Sequence, residues 1–297
     1  MDIAISINNL VKKYNNHPVL KGISFEVTKG ETFALLGGNG AGKTTTLECI
    51  EGFRKFDSGS IKIFDLSHND PSIRKITGVQ LQSTSLPDNM TAIEALKLFS
   101  KWNNVPVNLE LFNTFGLKDL QSKQYKSMST GQKRRLHLAL ALINDSKVIF
   151  LDEPTAGLDV EGRISLHDEI KKLKEQGKTI IVASHDMAEV EALCDRVAII
   201  KDGNIAFIGT PNELAVSYSG NTKIHIKSIN EVDKKDFSSC EYNSIDKDYT
   251  VYSTTNIGDG LLEILDYMKK SKNTVVDIKI ERPSLEESFM EIAKGEK

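Results

Sequence analysis

The sequence predicts an α/β protein with a mainly parallel sheet, followed by a smaller α+β domain. Three observations carry this reading. Short apolar runs alternate with helical patterns between residues 148 and 208, the order that winds strands into a parallel sheet. A glycine-dense loop, "GGNGAGKTT" at residues 37–45, joins an apolar run to a helical one. Beyond residue 216 the style changes to alternating strands and amphipathic helices. The predicted domains are therefore 1–216 and 217–297.

In chain order, residues 3–7, 19–27 and 31–36 are strand candidates separated by turn residues. From Lys43 the pattern is helical. Residues 79–81 are a short strand, and 91–102 and 109–115 are helices. Residues 131–144 place Leu136, Ala139, Leu140 and Ile143 at helical spacing. Then come a buried strand at 148–151, a helix at 161–176, a strand at 179–184, a helix at 187–193 and a strand at 197–200. Asp202-Gly203 turns the chain into a hairpin strand at 205–208. In the second domain Ile224 and Ile226 alternate with polar residues, as does the stretch 249–254. A helix with Leu261, Leu265 and Met268 precedes a strand with Val276, Ile278 and Ile280. Ser284 to Glu287 forms a capping box before a last helix with Leu285, Phe289 and Ile292 on one face.

The bulk numbers exclude several classes. The chain has 297 residues and a formal net charge of −3, so no broad nucleic-acid footprint is expected. Cys49, Cys194 and Cys240 are scattered and read as small buried hydrophobes in a reducing compartment. No apolar stretch approaches the ~18 residues of a membrane span. The start, Met1-Asp2-Ile3-Ala4, lacks the basic and apolar regions of a secretory leader. A cytoplasmic protein is expected; any membrane spans would come from another chain.

Gly37, Gly42, Lys43 and Thr44 fit G-x-x-x-x-G-K-[ST]. Glycines let the backbone bend so that successive N–H groups aim at phosphate oxygens. Lys43 sets a point charge against the β- and γ-phosphates, and the Thr44 hydroxyl is placed to ligate Mg²⁺. The helix beginning at Lys43 adds its positive end. A second segment, "VIFLDEP" at 148–154, delivers two carboxylates at the end of an apolar strand, the edge where ligands sit in α/β sheets. Asp152 fits the metal and Glu153 the attacking water. A third strand end, in "TIIVASHD", delivers His185 to the same edge. A neutral imidazole donates one hydrogen bond and accepts another.

"SMSTGQKRRL" at 127–136 opens the strongest helical pattern. Ser129, Thr130 and Gly131 place hydroxyls and N–H groups at its start, a second anion site. Capping alone explains a serine or threonine there. A glycine early in a helix costs about 1 kcal/mol against alanine, so another demand is expected to keep it. One nucleotide has one triphosphate tail, so the second helix start is expected to close the cradle of another copy.

With these motifs in order, residues 1–215 resemble the nucleotide-binding subunit of an ATP-binding cassette (ABC) transporter. The resemblance implies a P-loop NTPase fold, with a mixed sheet and a helical subdomain, that binds ATP and Mg²⁺. It implies that Tyr14 stacks on adenine and that Gly37, Gly38, Asn39, Gly40, Ala41, Gly42, Lys43, Thr44 and Thr45 form the Walker A loop. It also implies that Gln82 touches the metal and the attacking water, with Gln80 as the alternative. Ser129, Thr130, Gly131 and Gln132 match the signature motif, which acts in trans, and residues 148–153 match Walker B, with Glu153 as the catalytic glutamate. Ala156 to Asp159 matches the D-loop and His185 the switch histidine. Thr130 departs from the usual glycine, Met128 from leucine and Gly38 from proline, and none of these removes a reacting group. The tail, "RPSLEESFMEIA", resembles ATPase subunits of daunorubicin-exporter-type systems. The implied function is ATP hydrolysis by a homo- or heterodimer on the cytoplasmic face of the membrane, powering a separate permease that exports a drug, antibiotic, peptide or lipid-like substrate. The alternatives are a non-transport ABC ATPase acting on ribosomes or DNA, and a GTPase switch. The first would be expected to carry paired cassettes or long heptads, the second an N-K-x-D guanine reader, and the sequence has none of these.

Overall fold

Two strands, β1 (Ile3–Tyr14) and β2 (His17–Thr28), open the chain as an antiparallel hairpin around Asn15 and Asn16. Both turn residues have positive φ, 46° and 66°, which asparagine tolerates better than most residues. The computed structural model describes residues 2–81, 85–217, 222–230, 234–281 and 284–294. The hairpin strands run longer than the predicted 3–7 and 19–27. Register shifts after Ile7 and again after Leu10 break the alternation that would have marked the rest of β1.

The next strand, β3 (Thr32–Leu36), is buried at all five residues, and α1 (Lys43–Ile50) follows it. Strands β4 (Ser58–Ile63) and β5 (Leu66–Ser67) complete an antiparallel sheet in the order β2-β1-β4-β5. Helix α2 (Ile73–Ile76) leads into β6 (Thr77–Gln80). A helical stretch then holds α3 (Ala92–Asn103), α4 (Glu110–Thr114) and α5 (Thr130–Ala141). The alternation resumes with β7 (Val148–Asp152), α6 (Val160–Glu175), β8 (Thr179–Ala183), α7 (Met187–Leu193), β9 (Arg196–Lys201) and β10 (Asn204–Gly209).

The second sheet has the order β10-β9-β3-β8-β7-β6. Its strands are parallel except β10, which the Asp202-Gly203 turn sends back antiparallel. One core joins both sheets to α1: Ile5, Phe25, Phe33, Leu47, Phe150 and Ile181 belong to a single buried cluster. Full burial of each large side chain stabilises by about 1.5–3 kcal/mol. This core fixes α1, and with it the glycine loop, against the ends of the parallel strands.

Compact units meet between Pro211 and Asn212, five residues before the expected boundary, so most of α8 (Pro211–Ser217) falls in the second unit. That unit holds β11 (Thr222–Ser228), β12 (Glu241–Asp246), β13 (Tyr249–Thr254), α9 (Ile257–Lys270), β14 (Val275–Glu281) and α10 (Leu285–Lys294). Its antiparallel sheet has the order β12-β13-β11-β14. Ile224, Ile226, Tyr252, Ile264 and Met268 form its core. Leu265 is 38% exposed while Ile264 is buried, because Ile264 and Met268 share a helix face and Leu265 is turned off it. Val276, Ile278 and Ile280 are exposed, since β14 lies at a sheet edge. Ser284 and Glu287 form the expected reciprocal cap. Among the described residues no helix is long and apolar enough to cross a membrane.

Candidate nucleotide-binding site

The glycine loop leaves the buried end of β3; Gly37 is required by space and Gly42 by its left-handed backbone. At Gly37 a Cβ would lie 2.5 Å from the Ile200 carbonyl oxygen; at Gly42 it would lie 2.7 Å from Leu20 Cδ2. Gly42 also has a φ of 113° and stands as the N-cap of α1 with no side chain capping it. The first N–H groups of α1 therefore lack the side-chain acceptor that usually takes one of them. Gly38, Asn39, Gly40 and Thr44 are exposed, whereas Ala41, Lys43 and Thr45 are half-buried. Lys43 Nζ donates to the carbonyls of Gly37 (2.7 Å) and Gly38 (3.2 Å), across the loop. Burial lowers the Lys43 pKa, and the charges of Glu153 and Asp152 oppose that shift.

Those carboxylates come from β7, whose apolar run is fully buried and ends at Asp152. Burial raises the Asp152 pKa, Glu153 raises it further, and Lys43 pulls it down. A buried carboxyl held away from its ordinary value is suited to a cation that is not part of the chain. Glu153 follows in a left-handed conformation, φ 47°, a strained state that tends to occur at functional turns. Its N–H donates to the Ala183 carbonyl at 2.9 Å, tying it to the end of β8. His185, two residues beyond that strand end, brings Nδ1 to 3.0 Å from Glu153 Oε1. Lys43, Asp152, Glu153 and His185 are thus gathered at the C-terminal edge of the sheet, where their strand positions predict them.

Tyr14 ends β1 and is 36% exposed. Lys12 Nζ and the Arg54 guanidinium lie 5.3 and 5.2 Å from its ring centre. Sequence reading missed both cations. Lys12 could have been found two residues before Tyr14 on one strand face; Arg54 follows α1 in an irregular stretch that no periodicity marks. Gln82 lies outside the described residues. Gln80 is 2% exposed at the end of β6, and among the described residues neither polar atom of its side chain has a hydrogen-bond partner.

Ser129 caps α5 through a reciprocal box. Gln132 N donates to Ser129 Oγ at 3.3 Å, and Ser129 N donates to Gln132 Oε1 at 3.1 Å. Lys123 Nζ also donates to Gln132 Oε1, at 3.0 Å. Ser129, Thr130, Gly131 and Gln132 line an open cavity of about 690 Å³ together with Gly157 and Asp159, and no residue of the 37–45 loop lines it. Asp159 caps α6, accepting from Gly162 N at 2.8 Å. Among the described residues, no cluster of three or more His, Cys, Asp or Glu side chains could hold a metal by itself.

Residues 20–156 match the model of the ABC transporter family. The chain is 35% identical to the linearmycin resistance ATP-binding protein LnrL of Bacillus subtilis over 76% of each chain. It is 36% identical to the Nod factor export ATP-binding protein I of Burkholderia orbicola, over 75% of this chain and 76% of that protein. Among solved structures it resembles an ATP-binding cassette captured as a dimer in a post-hydrolysis state with ADP and Pi. That match has 26% identity and a TM-score of 0.63 and covers 69% of this chain and 98% of the other. With the phosphate loop, the strand-end carboxylates and the histidine in place, the chain belongs to the ABC transporter family as an ATP-binding, ATP-hydrolysing cassette.

Proposed function

We propose that two such chains, identical or paired with a similar one, sandwich two ATP–Mg²⁺ head to tail and drive export through a separate permease. The observation that carries the reading is the Glu153–His185 contact beside the Lys43 loop. Residues 37–45 hold the phosphates through backbone N–H groups, Lys43 and the α1 N-terminus. Tyr14 packs its ring on adenine. Thr44 and Asp152 would hold Mg²⁺, with Gln82, which lies outside the described residues, as the further expected contact, and the ion would supply charge neutralisation at the phosphates. Asp152 and Thr44 fit this role because a carboxylate and a hydroxyl are the hard oxygen donors such an ion takes. Glu153 takes the proton of the attacking water or orients it, and His185 fixes the Glu153 carboxylate through Nδ1. Ser129, Thr130, Gly131 and Gln132, with Asp159, close the site of the other copy. The cavity they line supports this, because it contains no part of the chain's own cradle.

A separate groove of about 340 Å³ supports permease docking. Gln80, Phe53, Phe99 and Trp102 line it, and Phe53 and Trp102 are 63% and 80% exposed, a costly display unless a partner covers them. The cassette would then sit at the cytoplasmic face of the membrane, with its spans in the permease. Export of a drug, antibiotic, peptide or lipid-like molecule follows the resistance and export names of the relatives, which give no support to a ribosome- or DNA-acting role. Residues 217–297 act as an accessory domain outside the ATP chemistry. The deciding experiment is Glu153→Gln, which keeps shape and loses basicity. It is expected to bind ATP normally and to hydrolyse it at background rate; turnover near wild type would remove Glu153 from the reaction.

A further inference from the structure

Behind the Glu153–His185 pair lies a carboxylate for which hydrolysis as described has no use. Glu189, on α7, is fully buried. Its Oε2 accepts from Ser184 Oγ at 2.5 Å. The Thr155 side chain acts on the same carboxylate as a donor that opposes the shift caused by burial, and Glu189 Oε1 has no hydrogen-bond partner of its own among the described residues. These donors belong to two different loops: Thr155 stands two residues after Glu153, and Ser184 immediately precedes His185. Ser184 Oγ in turn accepts from Asp186 N at 3.0 Å, so the turn carrying His185 is held on both sides. His167 Nε2 lies 3.9 Å from Glu189 Oε1, beyond hydrogen-bond reach. Asp186 caps α7 through Ala188 N and Glu189 N and accepts from Arg163 Nη1 of α6 at 2.7 Å.

A buried carboxyl is costly, and an apolar residue at this position would pack at lower cost. Burial does raise the Glu189 pKa, against the two hydroxyl donors. What the carboxylate provides is a fixed distance between loops, because both hydroxyls must converge on one rigid group. We propose that Glu189 is a positioning residue for ATP hydrolysis: its carboxylate fastens Thr155 and Ser184 so that Glu153 and His185 meet in working geometry. The proposal rests on the reading of that pair as the hydrolytic one.

The test uses the full chain with Glu189→Ala and Glu189→Gln, measured for steady-state ATP hydrolysis, KM and thermal unfolding. A glutamine oxygen can accept from both hydroxyls. Glu189→Ala is expected to lower kcat by about ten- to a hundredfold with KM for ATP unchanged, the signature of misplaced groups that do not bind substrate. Glu189→Gln is expected to restore most of the rate. Wild-type kcat in Glu189→Ala, or an equal loss in both variants, overturns the proposal. If Glu189→Ala does not fold, Ser184→Ala decides instead, since it releases only one loop. A fall in kcat at constant KM supports the fastening role, and an unchanged kcat overturns it. Glu153→Gln measured alongside separates the two readings. Wild-type turnover in Glu153→Gln removes the hydrolytic pair itself, whereas a dead Glu153→Gln beside a fully active Glu189→Ala overturns only the positioning role.

Discussion

Two helix starts in this chain are capped by different means. At α1 the N-cap is a left-handed glycine, and no side chain covers the first turn. At α5 the N-cap is Ser129, and a full capping box satisfies the turn from within. The first start has no side-chain acceptor, whereas the second has its third donor, Gln132 N, taken by Ser129. Yet Ser129 keeps one capacity that an aspartate cap would lack. Its oxygen accepts from Gln132 N while its proton remains available to donate outward. Asp159 and Asp186 cap α6 and α7 with carboxylates, which serve the helix equally well but repel phosphate. The contrast indicates that the cradle is built around its ligand, while the second start is a stable surface that offers a proton to one.

Lys43→Ala should give the largest effect. It removes a charged donor facing the phosphates, and charge-assisted hydrogen bonds contribute about 1.5–3 kcal/mol. ATP affinity measured by calorimetry should fall by at least about tenfold, with hydrolysis at background. Retained affinity would place the phosphates elsewhere and dissolve the contrast between the two starts.

The second experiment asks whether the two starts serve one site in different copies. Ser129→Asp keeps the cap but turns a carboxylate toward the partner's γ-phosphate. Homodimers of Lys43→Ala and of Ser129→Asp each have two broken sites. A mixed dimer unites an intact Lys43 with an intact Ser129 in one of its sites. ATP hydrolysis should reappear on mixing, once heterodimers are demonstrated by differential tags. Persistent background activity in a proven heterodimer that binds ATP would place each complete site within one chain.

Tyr14→Ala tests the proposed stacking on adenine, an interaction worth about 1–3 kcal/mol where bases stack on aromatics. The ATP dissociation constant should rise accordingly, and the hydrolysis rate at saturating ATP should hold. An unchanged dissociation constant would leave Tyr14 as no more than a partner for Lys12 and Arg54.

The parallel sheet and its strand ends were legible because β3, β7 and β8 are fully buried and so read as unbroken apolar runs. The residues at those ends followed directly: Asp152, Glu153 and His185 need only strand order to be placed on one edge. β4 and β12 were missed. β4 buries only Ile61 and Ile63, one alternation behind Ser58-Gly59-Ser60, and β12 buries none of "EYNSID", so the first shows too short a period to mark a strand and the second shows none. The helix holding Leu265 and the strand of Val276, Ile278 and Ile280 were legible as elements, but their exposure was not, because helix phase and edge position are set by packing. Glu189 was invisible for another reason. A glutamate in a short helix reads as a solvated residue, and only the fold shows that it is buried between two loops.

Gly131 gives the smallest effect and the finest test of the contrast. It sits in the first turn of α5, where its sequence position predicts a close approach of something to the backbone. Among the described residues nothing makes that demand. A Cβ there would meet only Leu158 Cδ2, at 3.9 Å, an ordinary contact, and Gly131 has no positive φ. Gly42 differs on both counts. Gly131→Ala should therefore stabilise the free chain by about 0.5 kcal/mol, through reduced backbone freedom in the unfolded state. Gly42→Ala should destabilise it. Urea unfolding of the two variants reads both signs. If Gly131→Ala also lowers hydrolysis while leaving ATP binding intact, the demand for glycine comes from outside the chain, from phosphate oxygens approaching the second helix start. If the variant is more stable and fully active, the glycine answers to neither, and Ser129 alone would carry the contact with the partner's nucleotide. If it is less stable, the contact with Leu158 is tighter than it looks, and the glycine is there for packing.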